Sequence, residues 1–256
     1  MSFTIGNLEF FLLILTRMSG FIFSAPFYSL SNVPKRVQIG LSVFISIILF
    51  ETLDVSKLEY IGVIGYAGLV ITELLIGLVM GYIMSVCIYI LNFSGQLIDM
   101  EIGFSMVNVM NPTANMTTTV TGNLYTYFVM LVLLASDLHR YMLKAMIDAF
   151  TFIPIGEAVI DMSMYKIMVT FIKDYFIIGF RIILPIFAAM LIINVVLGVL
   201  AKVAPQMNMF VVGMQLKVFV GLILLALAAK YIPVVSELIY SEIKIMMNEV
   251  VKLLSP

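Results

Sequence analysis

Six long apolar runs, at residues 10–25, 37–53, 61–91, 120–135, 176–200 and 210–232, dominate the chain. In hydrocarbon no water is available to hydrogen-bond exposed backbone groups, so runs of this kind are read as helices that satisfy their own amides. The composition agrees: 62% of the residues are apolar and 11% charged, against roughly 45–50% and about 25% in soluble domains, and the mean hydropathy is +1.14. The expected class is an all-α, polytopic integral membrane protein. A net charge of −1, with no cluster of Lys and Arg, argues against nucleic acid as a partner.

The runs are awkward as simple spans. A helix crossing the hydrocarbon core needs about 20 mainly apolar residues. The second and fourth runs are short, the third overshoots, and Arg181, Lys202, Lys217 and Lys230 lie in or beside the last two. Lys and Arg are spread along the chain without alternating between loops, so charge assigns no orientation. Short runs that contain charges are tolerated where other protein shields them, which points to a subunit of an assembly, built from tilted, kinked helical hairpins. Residues 1–8 carry no Lys or Arg, so the first run is expected to be retained as a helix and not removed as a signal peptide.

Several polar or small residues interrupt the runs. Glu73, at mid-helix, must pair, become protonated or face a polar cavity. A structural partner is favoured over proton transport, because no second carboxylate follows at helical spacing. Gly77 and Gly81 form a GxxxG pattern that allows close helix approach. Arg181 lies one turn before Pro185, where a proline removes a backbone donor and kinks the helix, and Asn194 adds a polar point further along. Together they suggest a helix covered by protein on more than one side. The single cysteine, Cys87, reads as a buried apolar side chain.

Enzyme chemistry finds no purchase. His139, with Asp137 and Arg140, reads as an interfacial cluster, and no zinc-protease, nucleophile-elbow or phosphate-loop motif occurs. No catalytic residue, metal site or cofactor is expected. Residues 235–254 place Val235, Ile239, Ile243, Met246, Met247, Val250 and Leu254 at helical spacing, with charges on the other faces. This amphipathic helix is expected to pack on a neighbouring subunit, since its charges are mixed and not basic. Residues 103–123, GFSMVNVMNPTANMTTTVTGN, are neither a good spanning helix nor a plainly solvated loop.

Four blocks, in order, resemble the FliR family of flagellar type III export-gate proteins, whose virulence counterpart is the injectisome T component. They are RMSGFIFSAPFYSLSNVPKRVQIGLS at 17–42, GQLIDMEIGFSMVNVMNPTANM at 95–116, DAFTFIPIG at 148–156 and LPIFAAMLIINVVLGVLAKVAPQMNMFVVGMQLK at 184–217. The resemblance covers nearly the whole chain. It implies a FliP-like part over residues 1–154 and a FliQ-like part over residues 155–256. It further implies a gate built with FliP-like and FliQ-like subunits, alongside FlhB-like and FlhA-like export proteins. Unfolded proteins would be the cargo, and the inner membrane at the flagellar basal body the location, in contact with membrane lipid.

By the same resemblance, residues 103–116 project into the pore as a plug. Phe104, Met106, Val107, Val109 and Met110 would be its apolar side chains, and Asn111-Pro112 its turn. Family members often carry phenylalanine where this chain has valine or methionine. Injectisome service is the alternative. A secondary transporter is a weaker one, because no repeat of matching broken helices is found.

Overall fold

A computed structural model describes residues 5–53, 58, 60–105, 119–158, 164–206 and 208–255. Among these residues there is no strand, and eight α-helices occur. They are α1 (Ile5–Ser24), α2 (Lys35–Thr52), α3 (Gly62–Ile102), α4 (Val120–Ala135), α5 (Leu138–Phe152), α6 (Met164–Val203), α7 (Met209–Ala228) and α8 (Ile232–Leu254). The 3-10 turn Ala229–Tyr231 joins α7 to α8. Among the described residues, four segments are long and apolar enough to cross a membrane, namely α1, α3, most of α6, and α7 continued through α8. Taken as one broken span, α4 with α5 would make a fifth. The fold is therefore all-α, with the spans of a multi-pass membrane protein.

Each apolar run lies within a helix or largely coincides with one, but the boundaries move for physical reasons. The third run continues 11 residues beyond Leu91, to Ile102, because Leu91, Ser94, Ile98 and Ile102 lie at helical spacing and are all buried. It stops at Gly103, whose φ of +99° is open to glycine and strained for other residues. The second run, as α2, holds Lys35, Arg36 and Glu51 and is absent from the spanning segments. Helix α5 has no apolar run of its own. It follows Asp137, which takes the left-handed conformation at φ +58°, a state that Asp tolerates better than most residues.

The helices form two compact units, each assembled from separated stretches of chain. The first comprises residues 1–87, 137–171 and 241–256. In it α1 and α2 form a hairpin whose open end is closed by the edge-on contact of Phe11 with Phe50, at 5.9 Å between ring centres. Helix α3 runs beside α1 in the same direction: Tyr66 donates to the Glu9 carbonyl, and four to five turns on, Ser85 donates to the Ser24 carbonyl at 2.6 Å. The second unit comprises residues 88–136 and 172–240. Its core is Ile98, Ile102, Ile183, Ile186 and Met190, from the end of α3 and the middle of α6.

The C-terminal helix departs from expectation. Ile239, Ile243, Met246, Met247, Val250 and Leu254 are buried within this same chain, so the apolar stripe of α8 is covered by its own protein and not reserved for a neighbouring subunit. Helices α6 and α7 do the opposite. Only about a fifth of their spanning windows is covered, and large side chains such as Ile192, Val195, Val199, Phe219 and Leu222 remain exposed.

Candidate functional site

Three stretches that are distant in sequence meet in the first unit. The Glu73 carboxylate, fully buried on α3, forms an ion pair with the equally buried Arg17 of α1 through Nε and Oε2. Its other oxygen, Oε1, accepts the Gly156 backbone N–H at 3.0 Å. The Arg17 guanidinium also donates through Nη1 to the Ile153 carbonyl at 2.8 Å and lies 4.4 Å from the centre of the Phe150 ring. Its Nη2 is buried without a partner among the described residues.

The local sequence explains this convergence. Ile153 follows the last residue of α5, where carbonyls are left without intrahelical donors. Gly156 has φ +85°, so the chain can turn its amide back towards Glu73 only with a residue that tolerates that conformation. The FIPIG stretch thus supplies one acceptor to the cation and one donor to the anion. Removing two charges from water is costly unless the remaining hydrogen-bonding capacity is used, and here most of it is.

Close approach of α1 and α3 makes the pair possible. A Cβ on Gly77 would strike the Arg17 carbonyl and come within 2.9 Å of the Phe21 nitrogen. One on Gly81 would meet the Ser24 hydroxyl, with the Ala25 nitrogen 2.8 Å away. The obstacles are mainly backbone, so any side chain at these positions drives the helices apart.

In the second unit a second buried carboxylate ties the stem of the 103–123 stretch. Asp99, in the last turn of α3, accepts the Thr121 backbone N–H at 3.2 Å on Oδ1 and 3.3 Å on Oδ2, and Oδ1 also accepts the Thr121 hydroxyl. Thr121 lies in the first turn of α4, where amides lack intrahelical acceptors, and the local capping residue Thr119 makes no side-chain cap. Asp99 therefore caps α4 from another helix and sets a negative charge at the positive end of its dipole. One turn earlier on α3, Gly95 faces Gly122 so closely that a Cβ on Gly95 would overlap the Gly122 backbone. On the α3 side, the Gly103 amide donates to the Asp99 carbonyl at 3.0 Å. Phe104 is half-buried and packs on the isoleucine core of this unit.

Met106, Val107, Val109, Met110, Asn111 and Pro112 lie outside the described residues. Arg181, Pro185 and Asn194 lie on α6 with exposed side chains, and the structure does not bring them to either carboxylate. Cys87 is buried. Arg140 and Asp137 form an exposed ion pair at 3.4 Å, while the Tyr28 hydroxyl donates to the His139 carbonyl at 2.6 Å. Burial of that phenol raises its pKa from 10.0 to about 12. No group of three metal-ligating side chains occurs among the described residues.

Sequence reasoning recognised that Glu73 needs a partner but did not find it in Arg17. The signal was present, since Arg17 is the one charge inside the first apolar run. Asp99 carried a weaker signal: it stands between Ile98 and Met100, beyond the end of the apolar run, and its role depends on a contact 22 residues away.

Comparison with known proteins places this arrangement. Residues 8–243 match the family described as bacterial export proteins, family 1. The flagellar biosynthetic protein FliR of Bacillus subtilis (strain 168) is 31% identical over 234 residues, covering 90% of both chains. FliR of Pectobacterium carotovorum subsp. carotovorum is 29% identical, covering 93% of this chain and 91% of that one, and FliR of Escherichia coli (strain K12) is 27% identical, covering 93% and 90%. With a match across nearly its whole length and relatives aligned almost end to end, the chain belongs to the FliR family of bacterial export proteins.

Proposed function

We propose that this chain is a non-enzymatic subunit of the flagellar protein export gate. It would form, with FliP-like and FliQ-like subunits, the pore through which unfolded flagellar substrates leave the cell, and would help to plug that pore at rest. The names of these three relatives, each a flagellar biosynthetic protein, support motility service over an injectisome. The gate would sit in the inner membrane at the flagellar basal body, beside FlhA-like and FlhB-like export proteins. Residues 1–154 would take the place of a FliP-like subunit and residues 155–256 that of a FliQ-like one. The bare faces of α6 and α7 suit such packing, since large exposed apolar surfaces on a subunit are covered by lipid or by partners.

The observation that carries the gating role is the stem. Asp99 holds the start of α4 against the end of α3, one turn from where Gly95 and Gly122 touch, so the two helix ends that flank residues 103–119 in sequence are held together. From there Phe104, Met106, Val107, Val109 and Met110 would form the constriction and Asn111-Pro112 its turn. Unbranched methionines conform to an irregular opening, and a hydrophobic constriction blocks ions by dewetting. Gating of this kind is passive, and the energy for export comes from elsewhere in the apparatus.

Deletion of residues 104–112 in cells that assemble the gate tests the assignment. Ions and small solutes should then cross the inner membrane, as read by loss of membrane potential. A normally assembled mutant with unchanged leakage would refute the plug.

A further inference from the structure

In the second unit, between α3 and α6, lies a cavity of about 270 Å³ lined by Leu97, Met100 and Glu101 from α3 and by Phe180, Leu184 and Phe187 from α6. Among the described residues, Glu101 is its only charged lining residue. It is half-buried and has no ion pair or hydrogen bond among the described residues. Three features make this carboxylate a receptor for a cation. The other wall residues are apolar and offer it no counter-charge; its place in the last turn of α3 sets it at the negative end of the helix dipole; and the walls include Phe180 and Phe187, aromatic side chains of the kind that attract ammonium or guanidinium.

The size of the cavity narrows the occupant. At about 270 Å³ it falls just below the range of roughly 300–1,000 Å³ typical of whole small-molecule ligands, and suits one long side chain. Its rim continues into exposed apolar surface at Met100, Phe180 and Leu184, which a neighbouring helix would cover. Residues 106–118, which come soon after Glu101 in sequence, contain neither Lys nor Arg, and Arg181, beside Phe180 in sequence, does not line the cavity.

We infer that this cavity receives a lysine or arginine side chain from a transmembrane helix of another subunit, with Glu101 as its counter-ion. The inference rests on the proposal that the chain works in an assembly, but it can fail while the gate stands, because leakage through the plug is measured separately. The test places a photo-crosslinking residue at Met100 in the full-length chain, expressed with its native partners in its own membrane, and maps the adduct. The adduct should fall on a different subunit, within one helical turn of a Lys or Arg. Glu101→Gln, which keeps the size and loses the charge, should lower its yield at least about tenfold, as expected when one partner of a buried pair is removed. Glu101→Lys should do the same and be rescued by the reciprocal change to Glu in the mapped partner. Adducts only to lipid, to a second copy of this chain or to a helix without a nearby base would overturn the inference. So would an unchanged yield in Glu101→Gln, or rescue of Glu101→Lys by Arg181→Glu, which would assign an internal pair.

Discussion

Replacing Arg17 with Met isolates the worth of the buried ion pair. The substitution keeps a long unbranched chain under Phe150 but leaves the Glu73 carboxylate with a single remaining donor, the Gly156 amide, and the Ile153 carbonyl with none from Arg17. Removing one partner of a buried pair costs about 3–5 kcal/mol, so Arg17→Met and Glu73→Met should each destabilise by that amount. The double variant no longer buries a lone charge. What it loses is one partner for each of two backbone groups, about 1–3 kcal/mol apiece. The singles sum to about 6–10 kcal/mol and the double costs about 2–6, so the double-mutant cycle should return a coupling of about 4 kcal/mol. Unfolding of the purified protein in mixed micelles, followed by circular dichroism against the mole fraction of denaturing detergent, reads all four corners. Additivity to within about 0.5 kcal/mol would mean that the two side chains do not interact, and the account of the first unit would fall with it.

Gly77→Ala should destabilise by about 1–3 kcal/mol through forced separation of α1 and α3, whereas Gly68→Ala on the same helix, where a Cβ meets nothing within 4 Å, should not; the same titration compares them. Asp99→Ala should cost about 0.5–2 kcal/mol as a lost cap and speed hydrogen exchange at the Thr121 amide, while Asp99→Asn, which keeps an acceptor, should retain part of the protection. Tyr28 predicts a pH effect: burial raises its folded pKa to about 12, above the ordinary tyrosine value of 10.0, so the folded state holds the phenolic proton longer. That stability is present in full below pH 10 and is lost as the pH rises towards 12. Tyr28→Phe should flatten this part of the stability profile, and an unchanged slope would contradict the assignment.

The sequence made the helices legible because their driving pattern is local. Apolar runs can be read within a window of a few turns, although the third ends at Leu91 while its helix continues to Ile102. Helix α5 was harder, since Leu138, Met142, Met146, Ala149 and Phe150 bury one face while Lys144, Asp148 and Arg140 break up the hydropathy. The amphipathic α8 was read correctly as a helix, yet its apolar stripe could not say which surface would cover it. Partner choice for the charges was illegible for a different reason. Arg17 and Glu73 are 56 residues apart, and helical spacing constrains neighbours on one helix only. Even so, the RMSGF and DAFTFIPIG blocks, noticed for their resemblance to a family, turn out to hold Arg17, Phe150, Ile153 and Gly156, the shell around Glu73.

A common rule connects these polar contacts. Where lipid replaces water, apolar side chains gain little by choosing one helix over another, and position is set by packing and by polar groups that need partners. Four buried polar side chains among the described residues are directed at backbone groups at or just beyond helix ends, whereas Tyr66, Ser94 and Tyr175 reach carbonyls inside helices. Arg17 reaches the carbonyl just past α5, Glu73 the amide of the turn that follows, Ser85 the carbonyl of the last residue of α1, and Asp99 an amide in the first turn of α4. Each such bond relieves two needs at once, that of the buried side chain and that of the frayed helix end. The consequence is positional: these side chains fix where helices stop as well as which helices touch. Asp99 is the instance that bears on the proposed gating, because the helix start that it fixes follows residues 106–118 directly in sequence.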